Sequence, residues 1–237
     1  MSSEERRPPD MAEKGRRDGR PISLDRRLFM NFTAWEGPAD AAADALAAAG
    51  IEGALYEDVS DPHGIGIIAM AEEPTVFVTT LRELFNADPF SAMVRKPEFD
   101  MLGRTYSIGY ESDLEEVLFD RPRGRVLNPE LTWAIWYPLQ RSKSFYRLSE
   151  DRQREILGEH GTIGRRYGEA GLAADVRLAC HGLDRDDNDF VIGLLGAELH
   201  PLSALVREMR ATEQTSQYLD RLGPFFVGRV AWQSGSR

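Results

Sequence analysis

The sequence predicts a mixed α+β fold made of two fused repeats of the order β-α-β-β-α-β, packed together as a barrel-like pair. Three observations carry that expectation. Strand-like runs rich in aromatic and β-branched residues alternate with amphipathic helical runs along the chain. The same order recurs after roughly 100 residues. Each repeat covers only one face of its sheet with helices, so the two bare faces are best buried against each other. The order is the ferredoxin-like one.

Residues 1–24 are charged and proline-bearing with no apolar core region, so they are expected to be a disordered tail and not a secretory signal. RRLFMNFTAW is a strand that stops at Glu36-Gly37-Pro38, and Pro38 suits a helix start. ADAAADALAAAG is helical, with Gly50 as its C-terminal cap. IEGALYEDV and GIGIIAMA are strands on either side of the SDPHG turn. Val76, Phe77, Leu81, Leu84 and Phe85 repeat at helical spacing, and MLGRTYSIGYES closes the first repeat as a strand. The repeat therefore spans 25–112. A linker, 113–130, begins as a short helix and is expected to break at Pro122 and Gly124.

The second repeat, 131–237, restates the order. LTWAIWYPLQ is a strand, and Ser149 is the N-cap of SEDRQREILGEHGTIGRRYG. DVRLACHGL and FVIGLLGAEL are strands joined by DRDDND, which lacks the full spacing and terminal glutamate of a calcium loop and reads as a solvated turn. HPLSALVREMRATEQTSQYL is a helix, and PFFVGRVAW a final strand. In the first of these helices Ile156, His160, Ile163 and Tyr167 share one face. An imidazole there is either a hydrogen-bonded core histidine or an axial ligand to iron; spacing leaves both open.

A net charge of -10, from 29 Lys+Arg against 39 Asp+Glu, disfavours nucleic-acid binding. The single cysteine, Cys180, excludes an intramolecular disulfide and a multi-cysteine metal site. No run of 18 apolar residues argues for membrane insertion. A cytoplasmic protein is expected.

WYPLQRS, EHGTIGRRY, HGLDRDDNDFVIGL and MRATEQTSQYLDRLGPFFVG, in that order, resemble the chlorite dismutase family, which includes the coproheme decarboxylases of haem biosynthesis. The likeness runs from about Leu28 to Val230, with the specific motifs in the C-terminal half. It implies a homo-oligomer, commonly a pentamer, that takes haem b or Fe-coproporphyrin III. His160 would be the axial iron ligand, Tyr137 the redox-active tyrosine, and Arg123 and Arg141 propionate partners. Thr215, with Ser216 beside it, would supply a hydroxyl to a propionate. The family's distal residue lies seven positions before the glycine of its Gly-Leu-Asp turn. That count reaches Asp175, where dismutases carry arginine and one decarboxylase branch glutamine; Arg177 follows on the same strand face. The implied reaction is oxidative decarboxylation of coproheme propionates to vinyls, with hydrogen peroxide as co-substrate, giving haem b. Tyr137 would take hydrogen from the propionate β-carbon. The alternatives are conversion of chlorite to chloride and dioxygen, or a haem-binding protein without enzymatic activity.

Overall fold

The structure, a computed structural model, describes residues 8–235. It opens with a two-stranded hairpin, β1 (Glu13–Arg17) and β2 (Arg20–Leu24). The first repeat follows: β3 (Phe29–Glu36), α1 (Ala39–Ala48), β4 (Gly53–Asp58), β5 (Gly64–Ala71), α2 (Thr80–Phe85), β6 (Val94–Arg95) and β7 (Met101–Arg104). A connecting helix, α3 (Arg121–Val126), leads to β8 (Trp133–Arg141), α4 (Glu150–Glu169), β9 (Ala174–Ala179), β10 (Phe190–Gly196), α5 (Leu199–Arg210), α6 (Glu213–Gln217), β11 (Leu219–Leu222) and β12 (Phe226–Gln233).

Both halves have the ferredoxin-like strand order. The first runs β7-β3-β5-β4 and the second β9-β10-β8-β12, with every pairing antiparallel. The halves then join edge to edge. β12 lies along β4, and β7 meets β9 at the single pair Arg104↔Ala179. The eight strands close into one ring, which removes the free edges an open sheet would leave.

Alternate side chains from both halves fill the ring. Phe32, Tyr56, Trp136 and Phe226 are fully buried inside it, and Phe32 sits 5.8 Å from Trp136 and 5.1 Å from Phe226 between ring centroids. Trp136 needs a glycine opposite: a Cβ on Gly193, its cross-strand partner, would lie 2.5 Å from the indole. Outside the ring, α1 and α2 cover an apolar layer around Trp35 and Leu46, while α4 and α5 cover one around Tyr137, Leu194 and Leu205. Among the described residues no helix is long and apolar enough to cross a membrane.

Two expectations are corrected. The tail expected over 1–24 is ordered from Glu13 onward, although residues 1–7 lie outside the described part. Asp18 and Gly19 take positive φ, 51° and 77°, as a tight hairpin turn demands. The Glu13 carboxylate then accepts from Arg104 Nη1 at 2.8 Å and from Ser107 N at 2.9 Å, which pins the hairpin to the body. The break expected at Pro122 and Gly124 also fails to occur. A wide π turn, Glu116–Asp120, runs directly into α3. Pro122 stands in the first turn of α3, where a missing N–H costs least. More simply, the long C-terminal helix divides at Ala211-Thr212 into α5 and α6, and the 101–112 strand ends at Arg104.

Candidate functional site

A cavity of about 490 Å³ opens between α4 and the outer face of the second sheet, within the usual size range of ligand pockets. α4 starts at Ser149, whose side chain accepts from Arg152 N, and it presents His160, Gly161, Gly164 and Gly168 to the cavity. Helical phase puts the three glycines on one stripe. Among the described residues a Cβ on Gly161 would meet nothing within 4 Å, and one on Gly164 only Met209 Cε at 3.5 Å. Each helix-interior glycine costs roughly 1 kcal/mol relative to alanine. The stripe therefore gives up helix stability and leaves a flat floor with no side chains.

Ile192 and Leu194 of β10 and Leu205 and Met209 of α5 form apolar walls. β8 contributes Tyr137. Its neighbour Trp136 points into the ring, so strand alternation turns the Tyr137 ring outward to the cavity. Tyr137 is 8% exposed and stacks on Phe225 with 4.5 Å between centroids. Burial, with a smaller contribution from Asp175, pushes its phenol well above the usual tyrosine range, so it stays protonated at neutral pH. The cavity rim is charged, with four arginines against two carboxylates: Arg121 and Arg125 come from α3, Arg165 and Glu169 from α4, and Asp175 and Arg177 from β9.

His160 is half-buried. Burial first, then the positive charges of Arg141 and Arg177, pulls its imidazole down to about 4. At neutral pH it carries no charge, which is the form that binds iron. Its Nδ1 lies 3.5 Å from Thr212 Oγ1, at the outer limit of a hydrogen bond. Thr212 Oγ1 donates to the Met209 carbonyl at 2.8 Å, so toward His160 it offers lone pairs. That arrangement favours a ring proton on Nδ1, the tautomer whose Nε2 lone pair is free for a ligand. Among the described residues no group of three or more His, Cys, Asp or Glu could hold a bare metal ion. A lone neutral imidazole, a flat glycine floor, apolar walls and a cationic rim instead fit an iron porphyrin. Such a group brings four ligands of its own and carries carboxylates at its edge.

Residues 74–231 match the chlorite dismutase family. The chain belongs to that family. Over 106 residues it is 30% identical to the coproheme decarboxylase of Staphylococcus carnosus, covering 43% of this chain and 41% of that protein. Over 93 residues it is 31% identical to the coproheme decarboxylase of Mycolicibacterium smegmatis, covering 39% of this chain and 37% of that protein. The matches thus span about two fifths of each relative's length. Among solved structures, a heme-binding protein from Thermus thermophilus superposes with a TM-score of 0.68 at 18% identity, covering 87% of this chain and 92% of that one. A mutant chlorite dismutase from Candidatus Nitrospira defluvii does so with a TM-score of 0.69 at 14% identity, covering 88% and 93%. These likenesses show a chlorite dismutase-like fold.

Of the residues that the resemblance to the chlorite dismutase family singles out, the structure brings Tyr137, His160, Asp175 and Arg177 to the one cavity. Thr215 lines a small space next to it, walled in part by the same Tyr137 and His160. Ser216 does not reach either; its hydroxyl donates to the Thr212 carbonyl at 2.8 Å. Arg141 lines neither space; its guanidinium lies over Phe145 and Phe190, at 4.7 and 4.5 Å from their ring centroids, and its buried Nε has no hydrogen-bond partner among the described residues. Arg123 is turned away. It pairs with Glu52 at 2.8 Å and Glu72 at 3.5 Å and packs over Phe119. Because α3 continues through Pro122, Arg121 and Arg125 share the cavity face, and Arg123 stands roughly 200° round the helix from each. Arg121, Arg125, Thr212 and the glycine stripe were not singled out by the motifs. The only sequence signals for them are the i,i+4 spacing of the two arginines and the recurrence of Gly161, Gly164 and Gly168. In the DRDDND turn, Asp184 Oδ1 accepts from Asp186 N and Asn188 N, both at 3.1 Å, as a structural turn does.

Proposed function

We propose that the chain binds Fe-coproporphyrin III through His160 and decarboxylates two of its propionates to vinyl groups with hydrogen peroxide, giving haem b. The observation that carries this reading is the convergence of a neutral His160 and a buried, protonated Tyr137 on one cavity with a cationic rim. The bound iron porphyrin would supply the oxidising power from peroxide. His160 Nε2 would hold the iron, with Thr212 fixing the tautomer. Tyr137 would lose its phenolic hydrogen and then take one from the propionate β-carbon; the C–CO2 bond breaks as the vinyl double bond forms. Each propionate carboxylate, one peroxide and one proton balance as one vinyl, one CO2 and two waters. Arg125 and Arg177 are suited to orienting propionates, because guanidinium groups meet carboxylates in bidentate geometry.

The test is to load purified protein with ferric coproporphyrin III, titrate peroxide and follow porphyrin mass. Stepwise loss of two CO2 is expected, and His160→Ala should lose the porphyrin or the activity. Chlorite dismutation is a second reading, because Arg177 lines the same cavity; its guanidinium is already paired with Asp175 at 2.9 Å, which argues against a free distal cation. Dioxygen evolution from chlorite without CO2 loss would select that reading. Tight haem binding with neither reaction would leave a haem-binding protein.

A further inference from the structure

Asp175 stands at the cavity rim. Its Oδ1 accepts from Arg125 Nη1 at 2.9 Å, and its Oδ2 pairs with Arg177 Nε at 2.9 Å. Arg121, on the same rim, is already engaged by Glu116. One carboxylate therefore sits between two guanidinium groups that face the cavity.

The backbone separates holding from neutralising here. Arg125 Nη1 also donates to the main-chain carbonyl of Asp175. That bond survives a change of side chain, and Arg177 is held on β9 by the strand ladder. Loss of the Asp175 carboxylate would leave the Arg125 guanidinium tied to the main chain and the Arg177 backbone fixed on β9, with one less negative charge between the two side chains. Arg125 is partly buried, and burial pulls its guanidinium below the usual arginine range, so it has much to gain from a carboxylate.

We propose, resting on the porphyrin reading above, that Asp175 is a built-in competitor: it occupies the Arg125–Arg177 pair in the free protein and yields it to a propionate of the incoming porphyrin. Affinity for carboxylate-bearing porphyrins is thereby held below what the two arginines alone would give. As propionates are lost, Asp175 can retake the pair, which favours release of a product with fewer carboxylates.

The test uses metal-free coproporphyrin III, with four carboxylates and no iron, beside its tetramethyl ester. Binding is followed by quenching of tryptophan fluorescence at low and high salt. Asp175→Asn is expected to bind the acid roughly fivefold more tightly than wild type at low salt, with a steeper salt dependence and no change for the ester. Adding Arg125→Ala should abolish the gain. Asp175→Ser and thermal melts of each variant separate a folding defect from a binding effect. Unchanged or weaker binding of the acid by Asp175→Asn, or equal tightening of acid and ester, overturns the proposal while leaving the porphyrin reading intact. Wild-type protein that binds neither porphyrin overturns both.

Discussion

Gly161→Ala should move stability and ligand binding in opposite directions. Gly161 lies inside α4 with helical backbone, and its new methyl group would meet none of the described residues within 4 Å. The free protein should gain about 0.8–1 kcal/mol from helix propensity alone. For a chain of this size that corresponds to a rise in Tm of about 2–4 °C. The same methyl group would project into the space assigned to the porphyrin. A contact that forces a flat ring off its floor costs at least about 1.4 kcal/mol, or tenfold in affinity. Gly158 is the internal control. It has the same helical setting and the same free space, but it does not line the cavity. Gly158→Ala should raise Tm by a similar amount and leave binding unchanged. The assays are a thermal melt of the porphyrin-free protein and an absorbance titration with ferric coproporphyrin III. If Gly161→Ala stabilises the protein and still binds porphyrin like wild type, the ligand lies elsewhere. If it lowers Tm, the floor is not the open space described.

Three further outcomes follow from the same geometry. The His160 pKa is pulled down to about 4, so as pH falls the unfolded chain takes up this proton before the folded one; stability from the neutral imidazole is full above about pH 6.5 and is lost as pH falls toward 4. Allowing for partial solvent access, the loss is about 1–2 kcal/mol, and urea unfolding at pH 7.5 and 4.5 should show His160→Gln losing correspondingly less than wild type. Tyr137→Phe keeps the ring stacked on Phe225, so it should bind porphyrin like wild type yet release no CO2 when peroxide is added. Arg125→Ala should weaken coproporphyrin III binding by roughly tenfold, whereas Arg123→Ala should leave it unchanged and cost at most about 1 kcal/mol of stability through its lost pairs with Glu52 and Glu72.

Much of the fold is legible in the chain because its punctuation is local. The strands of both repeats are bounded by glycine, proline or acidic turns, and their alternation matches the two faces of the ring. The barrel-like pairing of the repeats is legible in the bare face of each sheet, but which edges meet is not, since β7 and β9 join through one residue pair between distant segments. The hairpin over 13–24 does carry a local signal in Asp18-Gly19. What holds it, however, is Glu13 against Arg104 and Ser107, about ninety residues away, and no reading of the tail's own composition contains those partners.

The site divides along the same line. That His160 and Tyr137 reach the cavity follows from the phase of α4 and the alternation of β8, because each sits in a long element whose phase is plain. The arginines depend on a phase that a proline obscures. If the helix stopped at Pro122, any of Arg121, Arg123 or Arg125 could swing toward a ligand. Because the π turn carries the helix through Pro122, the three are locked at intervals of roughly 200°, and a side chain in the middle must face the other way. Arg123 is thereby committed to Glu52 and Glu72 of the first repeat, and Arg125 to Asp175 of the second. The connecting helix thus does two jobs with alternate arginines. One holds the first half, and the other sets the charge at the mouth of the cavity, so the backbone path through Pro122 decides which arginines can meet a carboxylate.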